Sequence, residues 1–429
     1  MDWQSHYRAH LTTAAEAVQR IKSGDRVVIG HACAEPSALV DAMVANAAAY
    51  RDVEIVHLLP MGPAHYLDPG MEAHFRHNSM FLGGPSRKAY GEGRADLTPA
   101  FFSRVPDLIR TRFVPSVALI HVSPPDQHGY CSLGLAVDYA KAAAETAGLV
   151  LAQVNPQMPR LLGDSFVHVS RFDAIVEVDA PVIELPSPDV GAVETAIGRH
   201  CASLIKDGDT LQFGIGAIPS AVVQELAGFK DLGIHSEMFS DGVVDLIERG
   251  VITNARKTLH PGQCVCTFLM GTRQLYDYVD NNPAVFGGPV DYVNNVMTIA
   301  RNDNMVAINS CVQVDLQGQV VASTAGLRQI SAIGGQADFV RGAALSQGGR
   351  SILAFPSTAK GGTVSRIVPV IDTGSVVSTG REDVQFLVTE YGVADMSGQS
   401  LRQRAERLIA IAHPAFRDQL SAEFARRRA

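Results

Sequence analysis

Two stretches of this 429-residue chain repeat one another, and the repeat restricts the fold more than any other feature. Ile21-Lys22-Ser23-Gly24-Asp25-Arg26-Val27-Val28-Ile29-Gly30 aligns without a gap on Ile205-Lys206-Asp207-Gly208-Asp209-Thr210-Leu211-Gln212-Phe213-Gly214. A small-residue turn follows each, and after a one-residue shift Pro36-Ser37-Ala38-Leu39-Val40 answers Pro219-Ser220-Ala221-Val222-Val223. Both copies read as helix, Lys-x-Gly-Asp turn, buried strand, glycine turn and a helix with proline near its first turn. Order kept across five elements favours internal duplication over chance. The chain is long enough for two domains with separate cores.

Apolar runs at 53–59, 117–122, 149–154 and 174–178 alternate with helical patterns, which predicts a parallel-rich sheet. The stretch 181–188, ending Leu185-Pro186-Ser187-Pro188, reads as a linker. A helix over 193–206 opens the second half, with strands expected at 211–213, 297–309, 319–322, 351–355, 367–370 and 384–389. The predicted fold class is α/β: two similar open α/β domains, 1–186 and 187–429. Ligands of open α/β sheets sit at the carboxyl ends of strands and often between domains, so the active site is expected in the cleft between the two.

The segment Gly233-Ile234-His235-Ser236-Glu237-Met238-Phe239-Ser240-Asp241-Gly242 places one carboxylate inside an apolar run that closes in a turn. Glu237 is either a structural cap, as strand-end carboxylates often are, or a reagent. Desolvation would strip its water shell and make it a nucleophile toward a carbonyl, given oxyanion donors from a nearby glycine turn. Gly214-Ile215-Gly216-Ala217-Ile218-Pro219 begins like a dinucleotide fingerprint, but Pro219 stands where the third glycine belongs, and no GxxxxGK[ST] follows. What remains is a glycine turn at a helix N-terminus, either a donor of N–H groups to a ligand or a bare tight turn. Ile333-Gly334-Gly335-Gln336-Ala337-Asp338 is a strand-to-helix connection suited to close ligand approach, or one in which Asp338 caps the next helix. Ser357-Thr358-Ala359-Lys360-Gly361-Gly362-Thr363 holds a lysine that either meets a phosphate or is solvated.

The formal charge of −8 and dispersed basic residues argue against a nucleic-acid partner. The first twenty residues carry Asp2, Arg8, Glu16 and Arg20, so neither a signal peptide nor a membrane anchor is expected. Six cysteines without a CxxC pair fit reduced thiols in a cytoplasm, and Cys264-Val265-Cys266 reads as strand core instead of a metal site. The two histidines of the Pro/Gly-rich loop 121–132 match no zinc spacing either.

Further segments lie in order along the chain: Gly30-His31-Ala32-Cys33-Ala34-Glu35-Pro36, His77-Asn78-Ser79-Met80-Phe81-Leu82-Gly83, Glu92-Gly93-Arg94-Ala95-Asp96, Val122-Ser123-Pro124-Pro125-Asp126, Val251-Ile252-Thr253-Asn254, Thr389-Glu390-Tyr391-Gly392-Val393-Ala394 and Ile411-Ala412-His413-Pro414. With 214–219, 234–242 and 334–343, they make nearly the whole chain resemble the class I CoA-transferases. The branch is that of the acetyl-CoA hydrolases/transferases, which includes 4-hydroxybutyrate and butyrate CoA-transferases. The resemblance implies ping-pong transfer of CoA between carboxylic acids, with Glu237 as nucleophile. Its carboxylate would attack the thioester to give an acyl–glutamyl anhydride and CoA thiolate, which returns to form a glutamyl–CoA thioester.

By the same resemblance Gly214, Ile215, Gly216, Ala217 and Ile218 contact CoA, with Asn309, Gly334, Gly335 and Lys360 lining the site, and the backbone at Met61 and Gly62 supplies oxyanion donors. His31, Glu35, Met61, His65 and Arg87 flank glycine turns and are the candidate acyl pocket. Arg87 or Arg94 would suit a dicarboxylate. The implied co-substrate is a CoA thioester (acetyl-, butyryl- or succinyl-CoA), the acid one such as 4-hydroxybutyrate. No metal or permanently bound cofactor is expected, and the assembly would be a cytoplasmic homodimer or homotetramer. Ser236 stands where many relatives are expected to carry Thr, and the Ser-Glu-Asn-Gly motif of two-subunit members stops here at Ser-Glu. Competing readings are an acyl-CoA hydrolase using the same glutamate, a transferase for a dicarboxylate such as succinate or itaconate, a non-catalytic acyl-CoA-binding protein, and a nicotinamide oxidoreductase, which Pro219 undermines.

Overall fold

The computed structural model describes residues 2–428 and divides into two compact units, Met1–Pro186 with Val265–Val293, and Ser187–Cys264 with Asn294–Ala429. The chain first crosses between units after Pro186, and Val265–Val293 groups with the first unit. Backbone hydrogen bonds hold it: Val137 N–H donates to the Thr267 carbonyl (2.9 Å), Asp164 N–H to Gly287 (2.8 Å) and Leu185 N–H to Gly271 (2.8 Å).

In the first unit, strands β1 (Arg26–Ile29), β2 (Val53–Val56), β3 (Phe75–Ser79), β4 (Ala95–Leu97), β5 (Val117–Val122), β6 (Leu149–Val154) and β7 (Ala174–Glu177) form one sheet in the order β4-β3-β2-β1-β5-β6-β7. Every pairing is parallel. All six residues of β5 are buried, which is why its sequence is apolar without alternation but for His121. Val27, Ile29, Leu39, Met43, Ile55, Leu119 and Leu151 are sealed in the core, each contributing about 1.5–3 kcal/mol by burial. The chain builds outward from β1 to β4, then restarts at β5 on the other side of β1. The loops after β1 and β5 therefore diverge, which opens a crevice at that switch point.

The second unit repeats the plan. Strands β8 (Thr210–Phe213), β10 (Met238–Phe239), β11 (Met305–Ser310), β12 (Arg350–Ala354), β13 (Phe386–Thr389) and β14 (Gly392–Asp395) run in the order β10-β8-β11-β12-β13-β14, and β9 (Gly233–Ile234) also pairs with β8. Its switch point lies between β8 and β11. Helices α1 (Ser37–Ala45), α2 (Ala192–Ala202) and α3 (Ala217–Glu225) follow the repeat: α1 comes after β1, and α3 after β8.

The turns that open the two sheets are built alike. Asp25 and Asp209 each accept the N–H of the lysine three residues before, Lys22 and Lys206, at 2.7 Å. Gly24 and Gly208 adopt φ of +81° and +83°, a conformation glycine enters without a side-chain clash. Their N–H groups reach the carbonyls of Arg51 and Lys230, each at 2.9 Å, and so fix where the second strand of each sheet begins.

One strand expectation fails. The run 297–309 is not a single strand: helix α4 (Val296–Ala300) precedes β11, capped by the Asn295 side chain, which accepts the N–H groups of Met297 (2.9 Å) and Thr298 (3.4 Å). A short apolar run does not declare its period, and here the cap decided.

All six cysteines are buried and unbridged. Burial pushes the thiols of Cys33 and Cys264 up to about 11 and those of Cys131 and Cys201 up to about 12. Among the described residues no helix is long and apolar enough to cross a membrane.

Candidate active site

Glu237 occupies a reversal of the chain. Strand β9 runs parallel to β8, with Thr210 opposite Gly233 and Leu211 opposite Ile234, whereas β10 is antiparallel to the same strand, with Phe213 opposite Met238. Between them His235, Ser236 and Glu237 turn the chain back on itself. Ser236, wholly buried, clips the turn: its Oγ accepts Phe213 N–H (3.2 Å) and lies 3.1 Å from the Phe213 carbonyl and 2.6 Å from that of Met238. A small hydroxyl fits between three backbone groups, so serine at this position is a working part of the bend.

The bend leaves Glu237 half-buried between buried neighbours, Ser236 and Met238. Its Oε2 accepts a 2.7 Å hydrogen bond from Nδ2 of Asn294, a fully buried side chain just before α4. The carboxyl group also packs directly on Gly335, where any Cβ would overlap both Glu237 Oε2 and Asn294 Nδ2. Gly335 has an unstrained backbone (φ −91°) and is the N-cap of α5 (Gln336–Leu345). Its missing side chain is therefore a matter of space, and the vacancy sets the carboxylate at the positive end of a ten-residue helix. The His235 ring stands 6.3 Å from that of Phe339, tying the bend to the same helix.

The other residues expected to meet CoA lie at the carboxyl ends of the second unit's strands. Gly214, Ile215 and Gly216 follow β8 and Ala217 and Ile218 begin α3; a Cβ on Gly214 or Gly216 would meet nothing within 4 Å, so this turn faces open space. Asn309, near the end of β11, exchanges two amide hydrogen bonds with Gln212 of β8, at 2.9 and 3.3 Å across the switch point. Gly334 precedes the cap at Gly335. Asp338 lies in the first turn of α5, which leaves the capping position to Gly335. Lys360 is exposed at the tip of a hairpin formed by Thr358–Ala359 and Val364–Ser365. Glu390, at the turn between β13 and β14, holds the base of that hairpin by accepting Ser357 N–H (2.8 Å) and Ser357 Oγ–H (2.6 Å).

In the first unit the expected roles change. Met61 and Gly62 N–H groups, read as oxyanion donors, both donate to Glu35 Oε2, at 3.0 and 2.9 Å. Glu35 is buried, and desolvation raises its carboxyl pKa against those two bonds, which pull it down. A tight neutral network surrounds it. The His121 Nδ1 bonds the Glu35 carbonyl (3.2 Å), its Nε2 meets Gln153 Nε2 (3.3 Å), and Gln153 Oε1 accepts Ala38 N–H at the start of α1 (3.0 Å). Burial takes the His121 pKa down to about 4 and that of His77 to about 3.

His31 is enclosed: its Nδ1 pairs with buried Asp138 (2.7 Å), and the rings of Phe102, Tyr139 and Phe268 surround it. His65 is exposed and pairs with Asp68 (2.8 Å), at the outer side of a short helix whose Tyr66 and Leu67 are buried. Arg87 is half-exposed on the helix Gly84–Gly91, and Arg94 packs among Glu72, Glu92 and the Leu67 carbonyl.

Asn294, whose amide bonds Glu237, was not among the candidates. Its signal was present: Asn294-Asn295 before an apolar run is a helix-start pattern, and a strand drawn through 297–309 hid it.

The amino-terminal acetyl-CoA hydrolase/transferase domain model matches residues 1–185, and the carboxyl-terminal model of the same family matches 271–424. The 4-hydroxybutyrate coenzyme A transferase of Clostridium kluyveri is 57% identical over 428 residues, all of both chains. The butyryl-CoA:acetate CoA-transferase of Anaerostipes caccae is 40% identical, covering 98% of this chain and 97% of its own. Among solved structures, the 4-hydroxybutyrate CoA-transferase of Porphyromonas gingivalis superposes with a TM-score of 0.87 at 46% identity, covering 99% of this chain and all of the other. RipA of Yersinia pestis superposes with a TM-score of 0.95 at 40% identity over the full length of both. By both of its halves, and by similarity along its whole length, the chain belongs to the acetyl-CoA hydrolase/transferase family.

Proposed function

We propose that this protein moves CoA between a short-chain acyl-CoA and a carboxylic acid such as 4-hydroxybutyrate, by ping-pong chemistry through Glu237. The observation that carries the reading is the placement of that carboxylate: half-buried on a clipped chain reversal, pressed on Gly335 at the start of a helix, and bonded by the buried Asn294 amide.

The Glu237 carboxylate attacks the thioester carbon, and the C–S bond breaks to leave an acyl–glutamyl anhydride and CoA thiolate. The thiolate then attacks the glutamyl carbonyl, expelling the first acid as its carboxylate and leaving glutamyl–CoA. The acceptor carboxylate reverses both steps. As the glutamyl carbon becomes tetrahedral, the developing charge falls on an oxygen that Asn294 Nδ2 already faces, so Asn294 replaces Met61 and Gly62 as the proposed oxyanion donor. The open turn at Gly214, Ile215 and Gly216, with Asn309 and the Lys360 hairpin, is the proposed CoA-binding surface. Met61, Gly62 and Arg87 remain the proposed acyl-side residues. The 57% identity to a 4-hydroxybutyrate transferase supports that acid over succinate or itaconate.

The test is intact mass after incubation with acetyl-CoA and no acceptor. A CoA adduct on the wild type that is missing from Glu237→Ala is expected. Free CoA accumulating without an adduct would identify a hydrolase, and neither product would leave a binding protein.

A further inference from the structure

We infer that Asn254 and Lys257 are positioning residues for Glu237, which together hold the outer edge of β9 at Ile234, just past the point where the backbone pairing of 251–254 with Leu232 ends. The inference rests on Glu237 being the nucleophile.

In a parallel pair, alternate residues turn their backbone groups to the partner. Gly233 N–H donates to Asp209 of the β8 side (2.9 Å) and His235 N–H to Leu211 (3.1 Å), so Ile234 faces outward. There its N–H donates to Asn254 Oδ1 (2.9 Å), and its carbonyl accepts from Lys257 Nζ (2.7 Å). Both backbone groups of a residue three positions before Glu237 are thus held by side chains of one loop. The loop is itself closed: Lys257 Nζ also donates to the Gln263 carbonyl (2.6 Å), Gly262 N–H to the Asn254 carbonyl (2.9 Å), and Asn254 Nδ2 to Cys264 Sγ (3.3 Å). Asn254 takes φ +56°, which asparagine tolerates better than most residues. The lysine stem lies across Gly233, where a Cβ would overlap it.

Lys257 is 5% exposed and Asn254 4%, and burying an ammonium carries a desolvation cost that backbone pairing with another strand would not. What side-chain partners achieve and a strand would not is an abrupt stop. A neighbouring strand would go on pairing past Ile234 and hold 235–237 extended, whereas these two contacts end at Ile234 and release the chain into its reversal. The geometry of the nucleophile is then set by how firmly Ile234 is held.

The experiment measures the rate of CoA-adduct formation per folded molecule, alongside backbone amide exchange, in Asn254→Gly, Lys257→Met and Lys257→Arg. Glycine keeps the positive φ and removes only the amide, so Asn254→Gly decides the matter if Lys257→Met fails to fold. Adduct formation should slow by on the order of 10²-fold in Lys257→Met and about tenfold in Asn254→Gly, with KM for the acyl-CoA changed less than about threefold and partial recovery in Lys257→Arg. Exchange at the amides of Ile234, Glu237 and Met238 should accelerate in Asn254→Gly. An unchanged adduct rate per folded molecule in Asn254→Gly overturns the positioning role, because a merely structural loop would lower Tm and leave that rate alone. If the wild type forms no adduct, the reading of Glu237 fails instead. The exchange data then judge the positioning alone, and wild-type protection at Glu237 and Met238 would sink it.

Discussion

Each unit packs a carboxylate against a glycine from a distant segment, Glu35 on Gly62 and Glu237 on Gly335, and different donors meet the two. Glu35 follows the glycine turn after β1, packs on Gly62 and receives two backbone N–H groups through one oxygen. Glu237 follows the second strand of the other sheet, packs on Gly335 and takes an amide from a side chain. In the repeat alignment Arg26 answers Thr210, so Glu54 and Ile55, opposite Arg26 and Val27, answer Gly233 and Ile234. In the first unit the strand runs on through Val56; in the second it breaks and reverses. The two units thus share a frame whose second strand ends differently, and the carboxylate proposed as the nucleophile sits where that strand breaks off.

The sharpest way to break this comparison is the same substitution at both sites. Glu237→Gln should reduce transfer by at least on the order of 10⁴-fold, as loss of a nucleophile does, while Glu35→Gln, which keeps an oxygen acceptor, should stay within about tenfold of wild type. Equal losses in steady-state assays would mean that both carboxylates react, or neither. Asn294→Ala should lower kcat by about 10²–10³-fold with KM little changed, the usual effect of removing one oxyanion donor.

The glycines come next. Gly335→Ala pushes on Glu237 and Asn294 together and should cost about 10²-fold in kcat. Gly62→Ala meets only the end of the Glu35 side chain, and should appear as a loss of about 1–3 kcal/mol in thermal or denaturant unfolding.

The smallest effects are in pH. The folded-state pKa of Glu35 is raised, so the native state keeps a proton the unfolded chain has lost, and its contribution to stability falls as pH rises from the ordinary carboxylate range through the raised value. Glu35→Gln should therefore be more stable than wild type above that window and equal to it below. His121 and His77 have the opposite sign. The unfolded chain protonates them near the ordinary histidine value of 6.5 and the folded state only at about 4 and about 3, so acidification below 6.5 should weaken the first unit. Denaturant midpoints across pH 4–8 for wild type and Glu35→Gln would separate the two trends.

The strands of the parallel cores were legible because burial on both faces writes itself as mostly apolar runs without alternation, as in 117–120. Glu237 was legible because a charge in such a run needs a reason. What was hidden depends on contacts between distant segments. Asn294 lies 57 residues from Glu237. The Met61 and Gly62 N–H groups looked free for a ligand because nothing in the sequence says that Glu35 reaches them. His65 flanks a glycine turn in the sequence, but only the fold shows that its side chain is exposed and pairs with Asp68 while Tyr66 and Leu67 beside it are buried. The return of Val265–Val293 to the first unit was equally unreadable, because its backbone bonds to Val137, Asp164 and Leu185 leave no mark in composition.

The sealed cysteines bear on a hazard peculiar to this chemistry. Thioesters acylate thiolates readily, and an enzyme that binds acyl-CoA at high local concentration exposes its own sulfurs to the group it is meant to pass on. Thiols held to a pKa near 11 or 12 behind close-packed side chains are almost wholly protonated at neutral pH and out of reach. For the acyl transfer proposed at Glu237, these four thiols are poor competitors, because the packing of the core keeps them protonated and enclosed.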